Sequence, residues 1–323
     1  MRVMSDPITA PVSRRSLRAR HAADGPPDAT LDAARRVAEE AANAAQISLH
    51  EVHALADLAA VRRVFDTLWS ADRTNPAVTV ELLRAYVHTG QYVVLATDVT
   101  EPGRPVVAAS VGFLAAPPGV AVHSNVTGVL PSGRGRSLGF AIKLHQRAWA
   151  LERGLSEVTW TFDPLIRRNA WFNLTKLGAS VREYLVDFYG PMADGVNAGD
   201  ASDRLYLTWP LSGEQVVGAC AGRAEAPDSA ALREAGAAVL LSVADDGRSP
   251  STVATTPPAR GAGPDVALAQ VPADIEALRL EDPAAARAWR VALRRVLGPA
   301  LASEWAVTGF SRDGYYVLHR QEA

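Results

Sequence analysis

Cysteine is almost missing from this chain. Cys220 stands alone, which excludes an intramolecular disulfide and a cysteine-built metal cage. Lysine is nearly as scarce: of the 33 lysines and arginines only Lys143 and Lys176 are lysine, a skew that, with abundant alanine, reads as coding-sequence bias. Neither sign of charge dominates. A net charge of −2 gives no general attraction to nucleic acid or to a membrane. No apolar run approaches the roughly 20 residues that span a bilayer. The start, MRVMSDPITAPVSRRSLRARHAADGPPDA, is basic but lacks the apolar block of a secretion signal. Residues 1–29 are therefore expected to be a disordered leader, and the protein is expected in the cytoplasm.

What remains is an ordinary globular composition, 48% hydrophobic and 21% charged, over 323 residues, enough for one large domain or two smaller ones. Helical spacing is expected over 30–45, which contains LDAARRVAEEAANAA, and over ADLAAVRRVFDTLW and TVELLRAYVHTG. Three strand-like runs follow, QYVVLATD, PVVAASVGFLA and VAVHSNVTGVLP. After a glycine-rich turn come a helix over roughly 138–153 ended by Gly154, the strand SEVTWTFDP, a short helix RRNAWFNLTKLG stopped at Gly178, and the strand RLYLTWPL. Several antiparallel strands and then strand, helix, strand indicate a mixed α+β fold with one parallel pair in the middle. Small, polar, proline-interrupted residues mark 213–230 as a linker between a first domain (46–212) and a smaller α/β lobe (231–323). In that lobe Asp282-Pro283 starts a helix and Asp313-Gly314 makes a hairpin turn.

The unusual stretch is VLPSGRGRSLG, 129–139. A strand feeding a glycine-rich turn that opens a helix leaves several backbone N–H groups unpaired at the positive end of a helix dipole. Arg134 and Arg136 add forked, charge-assisted donors. A phosphate would be held there; a flexible basic turn that merely caps a helix fits the turn equally well. The stretch is neither a Walker loop nor the dinucleotide G-x-G-x-x-G.

This turn resembles the pyrophosphate loop of the GNAT acyltransferase superfamily, Gln/Arg-x-x-Gly-x-Gly/Ala after a strand ending in Val-x-Pro. Val129, Pro131, Arg134 and Gly139 match, whereas Ser137 stands where glycine is usual. A second signature, Asn and an apolar helix ending Lys-Leu-Gly, is similar to NAWFNLTKLGA through Asn169, Lys176, Leu177 and Gly178. The likeness covers residues 46–210. TWTFDP, DFYGPMADGVNAG and VPADIEALR also resemble a group of long bacterial acyltransferases with an extra C-terminal lobe.

The resemblance implies a GNAT-type fold with a central splayed sheet and a second, smaller α/β lobe. It implies that VAVHSNVTGV and SEVTWTF part to admit the pantetheine of acetyl-CoA or succinyl-CoA, with contacts from Thr127 and Val129. Arg134, Gly135, Arg136, Ser137, Leu138, Gly139 and Phe140 would hold the pyrophosphate, and Asn169 the pantetheine arm. The implied activity is transfer of the acyl group to the amine of a small molecule, an amino acid being one candidate, without metal, nucleic acid or membrane. A homodimer is left open. A second reading is a module on a degenerate fold of this type that binds acyl-CoA or a protein without turnover.

Acyl transfer to an amine needs a base, because an amine of lysine-like pKa is protonated at pH 7. His123 is the candidate. By strand alternation it shares a face with Asn125 and Thr127, the last roughly 13 Å away. The acid is expected in the Asn-led helix, where many members have a tyrosine, but Leu174 occupies that place. Tyr189 and Tyr184 are substitutes or packing residues, and Asn173 could only hydrogen-bond. Asp163 orients substrate or caps the next helix; Arg168 and Arg167 receive a carboxylate or lie on the surface. Glu152 and Glu157 read as solvated charges. Asp187, Asp194, Asp200 and Asp203 lack calcium-loop spacing, and His50 and His53 lie in a strand-like run, so no zinc site is expected.

Overall fold

The computed structural model describes residues 28–69, 76–190 and 200–321. Almost all of the leader assigned to 1–29, and Asp194, lie outside them.

Helices form where the sequence supplies both an apolar stripe and a start signal. Helix α1 (Asp28–Ala44) leads into strand β1 (Ile47–Glu51), and α2 (Leu55–Trp69) buries Leu58, Val61, Val64 and Phe65 along one side. At α3 (Val80–His88) the Thr79 hydroxyl accepts the otherwise unpaired N–H of Leu82. Strands β2 (Tyr92–Asp98), β3 (Val106–Leu114) and β4 (Ala121–Val129) follow, then α4 (Leu138–Glu152), β5 (Glu157–Phe162) and α5 (Arg167–Ala170). A π-helical turn (Trp171–Lys176) continues α5 to Gly178, whose φ of 68° ends it. Strands β6 (Ser180–Leu185) and β7 (Arg204–Pro210) complete the first sheet. The β6 segment, SVREYL, was not expected as a strand; Arg182 and Glu183 break its apolar alternation, as suits the outermost strand of a sheet.

The seven strands lie in the order β1-β2-β3-β4-β5-β7-β6. Every pairing is antiparallel except β4 with β5, the parallel pair that the crossover through α4 requires. One face of β1–β4 is covered by α2 and α3, through Phe65, Leu83, Val93, Leu95 and Val111. The other carries α4, through Leu138, Ala141 and Ile142.

The C-terminal segment forms a five-stranded sheet in the order β11-β12-β10-β8-β9, from β8 (Ala238–Val243), β9 (Pro250–Thr252), β10 (Val266–Gln270), β11 (Trp305–Phe310) and β12 (Tyr315–Arg320). Asp282 caps α9 (Pro283–Leu301) at its expected start, and Gly314, φ 96°, makes the β11–β12 turn. Residues 213–230 hold α6 (Glu214–Cys220) and the first residues of α7 (Ser229–Glu234). One apolar core runs through both sheets, joining Trp160 and Trp209 to Trp289, Phe310 and Tyr316. Each such ring stabilises the fold by about 2–3 kcal/mol through removal from water.

Candidate active site

The site begins where β4 ends. A 3₁₀ turn (Pro131–Gly133) brings the chain against α4 so closely that a Cβ on Gly133 would lie 2.7 Å from Leu138 Cδ2. Gly135 (φ 84°) and Ser137 (φ 61°) then adopt left-handed conformations, and α4 opens at Leu138. The preference for glycine at position 137 thus has a backbone cause, and serine holds the same conformation under strain. Among the described residues the N–H groups of 135–139 have no acceptor. Arg134 is exposed and without an ion pair there. Arg136 is engaged elsewhere: it lies 2.7 Å from the Asp98 carboxylate, which Arg136 and Thr100 together hold ionised down to about pH 2. Leu138 is buried, Gly139 faces Phe172, and Lys176 Nζ sits 4.8 Å from the centre of the Phe140 ring.

Strands β4 and β5 pair through three residues only, Ala121 with Glu157, Val122 with Val158 and His123 with Thr159. Beyond His123 the two part, so the edge of β4 that faces β5 is unpaired from Ser124 to Val129. The result is a fork that opens toward the α4 N-terminus. Asn125 lies exposed at a bulge: Val126 pairs with Val111 but Ser124 with Gly112, leaving Asn125 as the extra residue.

The bulge corrects the expected alternation, because one inserted residue turns all later side chains over. His123 faces the α2–α3 side, where its ring packs on Phe113, itself packed on Tyr86 of α3. Thr127 faces the α4 side with Val129 and bonds the Ser110 hydroxyl at 2.7 Å. His123, Asn125 and Thr127 therefore do not form one polar strip.

The polar surface lies elsewhere. Thr159 and Thr161 of β5 stand opposite Thr208 and Tyr206 of β7. Thr159 and Thr208 are buried and Thr161 and Tyr206 half-buried, while Val158, Trp160, Phe162, Leu205, Leu207 and Trp209 lie on the reverse face, in the apolar core. His123 joins this surface: Nδ1 is 3.0 Å from Thr159 Oγ1, and the ring stacks at 17° to Tyr206. Tyr189, half exposed, reaches it from the other end, its hydroxyl 3.1 Å from Thr161 Oγ1 and its ring beneath Arg204. A depression of about 340 Å³ is lined by Glu157, Thr159, Arg182, Glu183, Tyr206 and Thr208. Burial first, and then the charge of Lys143, hold the His123 imidazole below its ordinary pKa, so it is neutral at pH 7.

Several expected site residues are occupied otherwise. Asn173 is buried and its Oδ1 accepts from Trp160 Nε1 at 3.2 Å, a core contact. Asp163 does not face the polar surface; it is buried between Arg279 and Arg290 of the C-terminal segment. Arg168 is bonded to Glu276. Glu157 accepts from the Thr208 hydroxyl at 2.7 Å, so it is more than a solvated charge. Tyr184 is buried and donates to Asp203. The Asn169 side chain, half buried at the mouth of α5, has no hydrogen-bond partner among the described residues.

Three residues of the fork were missed. Lys143, buried in α4, donates to Ser124 Oγ (2.9 Å) and Gln146 Oε1 (3.1 Å) and lies 3.9 Å from the centre of the Trp160 ring. Ser124 sits on β4 and Trp160 on β5, so Lys143 spans the two arms. A lysine amid Leu138, Ala141, Ile142 and Leu144, in a chain with one other lysine, was the available signal.

No protein-family model matches the chain, and no curated protein matches it. Solved structures similar to it include the ribosomal-protein-S18-alanine N-acetyltransferase from Escherichia coli, at 14% identity over 52% of this chain and 97% of that one, TM-score 0.40. A GNAT superfamily phosphinothricin acetyltransferase from Sinorhizobium meliloti, in complex with acetyl-CoA, is similar at 15% identity over 51% and 88%, TM-score 0.40.

Proposed function

We propose that this chain is an acyl-CoA-dependent N-acyltransferase of the GNAT type, acting on the amine of a small molecule. The carrying observation is the fork: a β4 edge unpaired from Ser124 onward, leading into a turn whose N–H groups at 135–139 have no acceptor. An extended pantetheine arm suits a bare strand edge, as an added strand would. A diphosphate suits unpaired amides at the start of α4, with Arg134 as the available guanidinium.

Acyl-CoA supplies an activated thioester carbonyl; the remaining chemistry is for the protein's own groups. The acceptor must lose a proton before it attacks. His123 lies on the polar face of the fork, neutral at pH 7 and backed by Thr159, and it takes that proton. Glu157, Glu183 and Arg182 line the adjoining depression and present both signs of charge. That mixture suits an acceptor carrying ammonium and carboxylate together, as an amino acid does. Among acyl groups, acetyl and short dicarboxylic ones such as succinyl are the first to test.

The use of Arg136 by Asp98 and of Asn173 by Trp160 favours a second reading, a module that binds acyl-CoA without turnover. Calorimetry with acetyl-CoA and succinyl-CoA, with thiol release measured over a panel of free amino acids and small amines, separates the two. Release of CoA with one class of amine supports transfer. Tight binding without release across the panel supports the module, and no binding of either thioester removes both.

A further inference from the structure

Proton traffic in the proposed reaction has two ends, and only one has an owner so far. His123 receives the proton of the acceptor. The thiolate that leaves must gain one, and position 174, buried in the core, holds leucine.

The fork contains a group suited to that end. Lys143 is buried, and among the described residues no carboxylate pairs with it. Its surroundings are Gln146 on α4, Ser124 on β4 and the Trp160 ring on β5, and its charge acts upon His123 behind β4. Burial alone lowers its pKa to about 7. An ammonium has three donors and no lone pair, so in the Lys143–Ser124 contact Ser124 Oγ accepts. The hydroxyl hydrogen of Ser124 is thereby left to donate onward. Gln146 Nε2, fully buried beside them, also has no acceptor among the described residues. Ser124 is thus an unspent donor on the strand whose β5-facing edge is unpaired, while Gln146 Nε2 lies against Gly112 of β3.

We propose that Ser124, supplied by Lys143, gives the departing thiolate its proton. The inference rests on the transferase reading above. The amine forms a C–N bond at the thioester carbonyl and the C–S bond breaks, its electron pair going to sulfur. Sulfur takes the Ser124 hydroxyl proton as Lys143 Nζ passes one to Ser124 Oγ. Lys143 is left neutral and is reprotonated from solvent after product leaves, while His123 returns the acceptor's proton to water. An acid near 7 gives its proton downhill to a thiolate whose ordinary pKa is about 8.5. Burial first, and then this same positive charge, lowers the His123 pKa, so Lys143 bears on both ends.

Two lysines make the test direct. In the full chain carrying nitrogen-15 lysine, without ligand, one of two Nζ signals titrates near neutrality and vanishes in Lys143→Met. In turnover with acetyl-CoA, kcat falls on the alkaline side with that same midpoint. Lys143→Arg, which keeps the charge but does not titrate, moves this limb to higher pH. Ser124→Ala and Lys143→Met each lower kcat about 100-fold, with KM for acetyl-CoA held within about threefold. A limb unmoved in Lys143→Arg, or full kcat in Ser124→Ala, overturns the inference and leaves the transferase reading standing. Failure of the wild-type chain to bind acetyl-CoA overturns both.

Discussion

Arg290 holds Asp163 with both terminal nitrogens, Nη1 to Oδ1 and Nη2 to Oδ2, each at 2.8 Å. Asp163 directly follows β5 of the first sheet and Arg290 lies in α9, so this contact ties the C-terminal segment to the arm of the fork. Arg279 and Asp200 complete a buried set of two positive and two negative groups.

Breaking that balance is expected to be costly, because removing one partner leaves an uncompensated buried charge. Asp163→Asn should cost about 3–5 kcal/mol by urea unfolding. Burial opposes the ionised carboxylate, but Arg290 and Arg279 outweigh it and hold its pKa at about 2. Its contribution is complete above the ordinary value of 3.8 and is lost as pH falls through about 2. The wild-type chain should therefore lose stability in that window and Asp163→Asn much less; equal acid profiles would show that the cluster is not what the fold relies on.

Lys143 gives a stability signature of opposite range. Its pKa falls from 10.5 unfolded to about 7 folded, so the unfolded chain binds the extra proton between those values and wild-type stability rises with pH across them. Lys143→Met abolishes the slope. Relative to wild type the variant should be most favoured near pH 7 and lose a few kcal/mol of that advantage by pH 10. Parallel profiles for the two proteins would mean that the ammonium is not buried in solution.

His123→Ala should lower kcat about 100-fold at pH 7. At pH 9 more of the acceptor amine is already neutral, so the loss shrinks. An equal loss at both pH values removes His123 as the base.

Ser137 occupies a left-handed conformation that glycine adopts freely. Ser137→Gly should raise stability by up to about 1 kcal/mol, read from thermal melting, and should leave or tighten acetyl-CoA binding. Weaker binding in the glycine variant would assign the Ser137 hydroxyl a direct part in holding the ligand.

The local devices were largely legible. Gly154, Gly178, Asp282 and Gly314 begin or end elements at the positions their chemistry implies, and the parallel pair of strands follows from a helix between them. What misled was alternation along β4. Nothing in VAVHSNVTGV announces that Asn125 is an extra residue, because a bulge exists only against its partner strand. Asp163 reads as a site residue from its place at the end of a strand, Arg168 from its charge and Asn173 from its place beside Leu174, whereas their partners are Arg290, Glu276 and Trp160.

The amino-acid sequence alone settled most of the helices and strands, β6 and α6 excepted, and where the glycine-rich turn falls, since those depend on neighbours a few residues apart. Tertiary structure decided which side of the sheet His123 faces, and that Lys143 lies buried between two separating strands. Burial, desolvation and ion pairing are properties of groups brought together from distant parts of the chain, and only the folded arrangement brings them together.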